Sequence, residues 1–380
     1  MNFVTLNSVC KINMGQSPES SSYNSDGRGL PFFQGNADFG ERYPITRIWC
    51  DAPAKIAQAN DILISVRAPI GAVNYAYEKC CIGRGLAAIT PDNTAVSTEF
   101  IYWLLKARNA ELNSKGTGST FKAIGRKILE EVLVPAIRFE QQAAYANNLE
   151  AVFRIIQNRK AQLASLDNLI KARFVELFGD PEFNTKGWPV QLLDRLCEVG
   201  SSKRIYQNEQ SLEGVPFWRI SDLVSKMDTG LVDSGLFIPE GKYSELKKAG
   251  LVPVAGDILV TSRGTLGRCY IIKNEDRFYF QDGMISWLSD YKDGITPLYL
   301  KHLFTMPGFR KQIDSMQAGS TVAYLSIAML KKLRVMVPDI ELQEDFALFI
   351  AQSDKSKFAI QKSLEETQKL FDSLMQQYFG

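Results

Sequence analysis

The sequence predicts an α/β fold built twice: two mixed α/β modules, each followed by a long helix, with the two helices pairing as a coiled coil. Three observations lead there. The string DILISVRAPIG at 61–71 returns at 257–267 as DILVTSRGTLG. Further fragments return in the same order: LPFFQ (30–34) as VPFWR (215–219), GST (118–120) as GST (319–321), VLVPAI (132–137) as VMVPDI (335–340), and LFG (177–179) as YFG (378–380). Echoes in one register signify tandem duplication of a unit near half the chain. Third, Phe139 to Phe178 contains neither Pro nor Gly and repeats apolar residues every seven positions, the pattern of a coiled-coil seam.

In chain order, each copy opens with short apolar alternations broken by Gly, Pro, Ser and Asn, as in LPFFQGNADFGERYPI and VPFWRISDLVSKMDTGLV; these predict strands joined by irregular loops. DILISV and DILVTS are short and rich in Ile, Leu and Val, which fits a buried strand followed by a turn at the glycine. Helices are expected at about 97–113 and 296–317, then the Gly-Ser-Thr loops, then strands closing at Val134-Pro135 and Val337-Pro338. In the first long helix Leu149, Ile156, Leu163, Ile170 and Leu177 form one row. Val152 or Phe153, Leu166 and Phe174 supply much of the second, interrupted by Arg159 and Lys160, and Gly179 ends the helix. The second helix offers Phe346, Ser353, Ile360, Thr367 and Leu374 beside Ile350, Lys357, Leu364, Phe371 and Tyr378, a leakier seam. A helix of about 40 residues runs about 60 Å, beyond the face of a module this small, so its duplicate is the expected partner. Two separate amphipathic helices, each on its own module, are the alternative. The expected boundaries are module 1–138, helix 139–179, module 180–340 and helix 341–380.

Composition excludes more than it selects. The chain of 380 residues is 45% hydrophobic and 23% charged, with net charge +2, an ordinary globular balance that neither demands nor excludes a nucleic-acid partner. No apolar run long enough for a membrane span and no signal-peptide pattern stand out, so the cytoplasm is the expected compartment. Six cysteines show no CxxC pair, and Cys10 and Cys197, at equivalent places in the two copies, read as small buried hydrophobes. His302 is the only histidine, which rules out His-pair metal sites and leaves a packed or surface role in the LYLKHLFTM helix. No GxxxxGK[ST] loop is present. GRGLAA (83–88) formally fits GxGxxG/A, but its counterpart QDGMIS lacks the first glycine, and a turn into a strand explains it better. GDPEF is the nearest string to the Asn/Asp-Pro-Pro-aromatic motif of amino-methylating enzymes, and Glu182 stands at its third place. Neither a cofactor nor a metal is expected on this chain.

The loops do carry groups suited to DNA. Arg67 and Arg263 stand just beyond the repeated strand, where a guanidinium grips a phosphate or contacts guanine; a salt bridge or a bond to backbone carbonyls is the alternative. The second loops bring Ser119, Thr120 and Lys122 in one copy and Ser320, Thr321 and Tyr324 in the other. Hydroxyls and N–H groups around glycine suit phosphate contacts, against a plain capping turn before the next helix. Arg126 and Lys127, and Lys331, Lys332 and Arg334, lie nearby. Where the copies diverge, Gln34, Asn36 and Asp38 face Arg219, Ser221 and Asp222, and Ala68 and Pro69 face Gly264 and Thr265. The amide, guanidinium and carboxylate groups of the first set pair with different base edges, so the two modules would read two different short sequences, while Ala68 and Pro69 would make the first module's loop stiffer or differently aimed.

The order of module, helix, module, helix, with ELFGDPEFNTKGWPVQLLDRLC (176–197) at the junction and GDILVTSRGTLG (256–267) inside a module, resembles the specificity subunits of type I restriction-modification systems over essentially the whole chain. The resemblance implies a non-catalytic DNA-reading subunit. Each module would be a target recognition domain for one half of a bipartite, asymmetric site on double-stranded DNA. The helices would pack antiparallel as a ruler between half-sites and dock two methyltransferase (modification) subunits. Those partners would bring S-adenosylmethionine and methylate adenine, and an endonuclease/translocase (restriction) subunit would join for cleavage. Two rivals remain. A stand-alone DNA-modifying enzyme would methylate or cut DNA unaided, and a coiled-coil scaffold for proteins or sugars would be indifferent to duplex DNA.

Overall fold

A computed structural model describes residues 2–118, 122–317 and 323–380. The chain divides into two compact units, Met1–Ala161 with Ile360–Gly380, and Gln162–Ala359.

In the first unit the apolar run of the echo becomes the strand Ile62–Ser65, with every residue buried. It is interior to a four-stranded antiparallel sheet ordered Cys10–Met14, Leu86–Pro91, Ile62–Ser65, Val73–Tyr75. A second sheet joins Leu30–Phe33 in parallel to Cys80–Ile82, and Phe3–Thr5 pairs with Leu133–Pro135. The second unit repeats the plan. Ile258–Thr261, also buried throughout, lies in a four-stranded sheet ordered Glu198–Gly200, Ile285–Ser289, Ile258–Thr261, Cys269–Ile271. Val215–Trp218 runs parallel to Tyr279–Phe280, and Val190–Leu192 pairs with Arg334–Met336. The closing strand of the second copy thus ends before Val337-Pro338, although the Val337 N–H still donates to the Pro189 carbonyl. Cys10 and Cys197 are buried, and burial pushes both thiols up to about 12, so they act as small hydrophobes.

Two sequence expectations need correction. Residues 220–229 form a helix, Ile220–Thr229, and not a strand and loops: the Asp222 carboxylate accepts the Arg219 N–H at 2.8 Å to close the N-terminus, and Gly230 ends the helix. The helices expected at 97–113 and 296–317 are each broken in two, Thr98–Ala107 with Asn109–Ser114 and Pro297–Leu303 with Pro307–Ser315. Pro307 starts the last of these because its missing N–H is harmless only in a first turn.

The long helices run Phe139–Phe178 and Ile340–Phe379. Gly179 ends the first with a φ of 80°, a conformation that costs a residue with a Cβ. In the first unit Tyr145 stacks on Tyr378 at 3.8 Å, and Phe371 wedges between Phe153 and Trp103. In the second unit Phe346 packs edge-on against Phe174 and Phe178, and Lys357 Nζ meets Asp167 Oδ1 at 2.5 Å. In each unit residue numbers rise along one helix as they fall along the other, so the pairing is antiparallel. The polar seam positions are satisfied locally: Ser353 and Thr367 donate to the carbonyls of Phe349 and Ser363 on their own helix, and Lys357 takes a cross-helix carboxylate.

Each long helix is locked to its module by a buried glutamine in its first turn. Gln142 Oε1 accepts the Ser97 N–H at 2.8 Å while its Nε2 donates to Ile137 and Ala95 carbonyls. Gln343 Oε1 accepts from Thr296 N and Oγ1, and its Nε2 donates to Gly294 and Pro338 carbonyls. Both side chains are about 99% and 98% excluded from solvent, with relative exposures of 1% for Gln343 and 2% for Gln142, so every bond counts.

Candidate nucleic-acid interface

The repeated strand is positioned by the aspartate that precedes it. Asp61 accepts the Gln58 N–H at 2.7 Å, and Asp257 accepts Val254 N–H and Trp287 Nε1 at 2.9 Å. Burial raises the pKa of both carboxyls, against the pull of these bonds. From that anchor each strand emerges at an exposed arginine. Arg67 bridges to Ala123 and Arg263 to Tyr324; the flanking bonds match as well, Ile124 N to Val66 O and Leu325 N to Ser262 O. The duplicated arginines therefore sit at one structural address in the two modules.

Their side chains are held differently. Arg263 lies over the half-buried Tyr324 ring at 5.4 Å, a cation–π contact that leaves the guanidinium edges available. Among the described residues neither arginine is paired with a carboxylate or bonded through its side chain to a carbonyl, so the salt-bridge and loop-ordering alternatives find no partner there. Lys122 is exposed beside Arg67, its carbonyl accepting the Ala68 N–H at 3.1 Å. Thr265 is exposed too, its carbonyl taking the Thr261 hydroxyl.

Next to this address a turn connects it to the divergent residues. In the first module the Val66 N–H donates to the Gly85 carbonyl and the Gly85 N–H to the Gln34 carbonyl. A Cβ on Gly85 would lie 2.4 Å from the Gln34 oxygen, and one on Gly83 2.9 Å from the Gln34 side chain, so GRG is a close crossing of backbones. Between those glycines Arg84 stands exposed, its N–H held by Ser17 Oγ, which also exchanges bonds with the Gln34 amide. The sequence reading missed Arg84, and its signal was the flanking glycines. In the second module the Gln281 N–H donates to Trp218 O and the Ser262 N–H to Met284 O. This places Arg219, exposed at the N-terminus of Ile220–Thr229, on the same side of the frame, with Ser221 exposed one step into that helix. Asp38 and Asp222 are frame residues: each carboxylate accepts the N–H of its Gln34 or Arg219 neighbour, at 2.7 and 2.8 Å. Asn36 is half-buried in the short turn between. Lys203 and Arg204, which the sequence reading also missed, are exposed in the second module, Arg204 paired with Asp282 at 2.8 Å.

Ser119, Thr120, Ser320 and Thr321 lie outside the described residues. The short helices after those loops are Arg126–Glu130 and Ile327–Lys331, and the second is capped by Ser326, whose Oγ accepts the Met329 N–H. Arg126 and Lys127 face Glu130 and Glu131 across one helical turn, at 2.7 and 3.9 Å, so each carries a carboxylate beside its charge. His302 packs edge-on against Phe346, and burial holds its pKa down to about 3, so it is a neutral core imidazole at neutral pH. Among the described residues no His, Cys, Asp and Glu cluster forms a metal cage, and no helix is long and apolar enough to cross a membrane.

With this geometry in hand, comparison with known proteins gives a consistent result. The family model for the type I restriction modification DNA specificity domain matches residues 1–167 and 185–369. A Methanocaldococcus jannaschii protein named for the specificity subunit of the type I restriction enzyme MjaX is 42% identical over 161 residues, which is 42% of this chain and 38% of that relative. The chain thus spans well under two thirds of that relative. The MjaIX specificity subunit of the same organism is 25% identical over 364 residues, covering 88% of this chain and 80% of the relative. The crystal structure of the type I restriction-modification S subunit from M. genitalium is 19% identical, with a TM-score of 0.60 over 100% of this chain and 96% of that one; it shares the fold.

Proposed function

Because the chain belongs to the type I restriction modification DNA specificity domain family, we propose that it is the DNA-reading subunit of a type I restriction-modification complex and performs no bond chemistry itself. Residues 1–138 and 180–340 act as target recognition domains, each reading one half of a bipartite asymmetric site. Residues 139–179 and 341–380 act as the spacer that sets the gap and docks two methyltransferase subunits, which bring S-adenosylmethionine; a restriction subunit joins for cleavage. The complex works in the cytoplasm.

One observation supports this reading above the rest. Arg67 and Arg263 stand exposed at the same hydrogen-bonded address of the two modules, while the neighbouring polar residues differ, Gln34, Asn36 and Lys122 against Arg219, Ser221, Thr265 and Tyr324. A common frame with different polar groups is what reading two unlike half-sites requires. Ser119, Thr120, Ser320 and Thr321, outside the described residues, are assigned to phosphate contacts.

The test is co-expression with a methyltransferase partner and genome-wide mapping of methyladenine. The expected result is one asymmetric motif of two short blocks with a fixed gap. A heptad added after Leu163, matched by one after Ile360, is expected to lengthen that gap. A motif in one block, or a gap unmoved by the paired insertion, would overturn the reading.

A further inference from the structure

The second module contains a cavity of about 520 Å³ onto which Lys226, Arg268, Lys273, Lys301 and Arg310 converge, with no carboxylate in its lining. Three of the five have acidic partners outside the cavity: Lys226 with Asp276 at 3.3 Å, Arg268 with Asp228 at 2.5 Å, and Lys273 with Glu275 at 3.8 Å. Lys301 and Arg310 have none among the described residues. Arg310 Nη2 donates to the Leu266 carbonyl at 3.0 Å, and Asp354 acts on Lys301 from beyond ion-pair range. Cys269, also in the lining, is held as a neutral thiol by burial. Met227 and Phe304 supply apolar walls, which strengthen any charge pairing made inside.

The first module serves as an internal control. Ser65 N–H donates to Ala72 O as Thr261 N–H donates to Arg268 O, and Ala76 N–H donates to Asp61 O as Ile272 N–H donates to Asp257 O. Asn109 bonds the Ile70 carbonyl as Arg310 bonds that of Leu266. Counting from the matched helix caps Ser97 and Thr296, Tyr102 corresponds to Lys301. The positions of Arg268, Lys273, Lys301 and Arg310 are thus filled in the first module by Ala72, Tyr77, Tyr102 and Asn109. There Arg42 lies over the Tyr75 and Tyr102 rings and pairs with Glu150. Counting from Gln142 and Gln343, the counterpart of Glu150 is Ala351. Lys106, at the place of the lining residue Thr305, also lies over the Tyr102 ring there, so the first module sets Arg42 and Lys106 beside the Glu150 carboxylate, whereas the second module has four other cations and no carboxylate at the matching place.

We propose that this cavity is a phosphate-binding site, taking either a free phosphorylated anion or a phosphodiester of a bound duplex. The site is independent of whether the modules read base sequence. Two variants copy the first module: Arg310→Asn, which can keep the carbonyl bond that Asn109 makes, and Arg268→Ala. Full-length protein and both variants are titrated calorimetrically with inorganic pyrophosphate, and duplex affinity is measured across a salt series. If the ligand is a free anion, pyrophosphate binds and each variant weakens it at least tenfold. If the source is the duplex, pyrophosphate fails to bind, but the slope of log affinity against log salt falls by about one per variant. A wild-type protein that ignores pyrophosphate and variants that leave the salt slope unchanged would overturn the proposal, whatever the outcome of methylation mapping.

Discussion

Set side by side, the two modules agree in their frame down to single hydrogen bonds and disagree in what the frame carries. The arginine address, the anchoring aspartate, the capped helix and the buried glutamine recur. Around them, an indole becomes an imidazole where Trp103 corresponds to His302, and a Tyr-Arg-Glu cluster becomes a cationic cavity. A duplicated chain thereby separates two kinds of residue. What both copies keep holds the fold, and what they change is free to specialise, apart from Arg67 and Arg263, which are kept and yet exposed.

The largest effect is expected where the frame is shared. Gln343→Ala strips partners from Thr296 N–H and from the Gly294 and Pro338 carbonyls inside the protein. Unpaired buried groups cost about 1–3 kcal/mol each before relaxation, so a loss of about 3 kcal/mol is expected in denaturant unfolding. Gln142→Ala should cost less, since its bond to Ala95 is long, 3.4 Å. Negligible losses in both variants would mean that the clamps do not hold the helices, and equal large ones that the long Ala95 bond does not matter.

The exposed pair comes next. Arg263→Ala is expected to weaken binding of a cognate duplex by about 1–3 kcal/mol with relaxed preference at one half-site if the guanidinium reads a base. Arg67→Ala should act on the other half-site alone. A sequence-independent loss, with the salt slope reduced by about one, would assign both to phosphate. Unchanged affinity in both variants removes the arginines from the interface.

His302 separates the modules by pH. Its folded-state pKa, about 3, lies below its ordinary value of 6.5 because burial disfavours the cation. Above 6.5 both states are neutral and nothing is gained or lost. As pH falls from 6.5 toward 3 the unfolded chain takes up a proton that the folded one refuses, and stability drops. Allowing for the partial exposure of the residue, about 1–2 kcal/mol should be lost by pH 4. His302→Phe is expected to flatten that segment of the stability curve; an unaltered slope would show that the imidazole is protonated in the folded state.

Much of this frame was readable in the residues. The buried strands follow from the apolar runs after Asp61 and Asp257, and the helix seam from spacing undisturbed by Pro or Gly; even its leaks at Ser353 and Thr367 are closed by the helix's own carbonyls. Ile220–Thr229 was hidden because its polar residues resemble a loop, although Asp222 three residues after Arg219 and Gly230 at its end are cap signals. The glutamine clamps were illegible for a different reason: a Gln in the first turn of a helix looks solvent-facing until the partners from a distant strand end are known. In the site, the arginine pair was found through repetition. Arg84, with no arginine at the matching place in the second copy, was not.

The smallest expected effect concerns charges that proximity in sequence suggested would meet DNA. Arg126 bonds Glu130 at 2.7 Å and Lys127 approaches Glu131 at 3.9 Å, both across one helical turn. Pairs of this kind on exposed helices contribute about 0.3–0.5 kcal/mol, and their opposing charges cancel at the distance of a phosphate. Arg126→Ala should therefore lower stability by no more than about 0.5 kcal/mol and shift duplex affinity less than twofold. Loss of binding comparable to that of Arg67→Ala would mean that the guanidinium leaves Glu130 for the duplex, and that the first module extends its contact surface along this short helix.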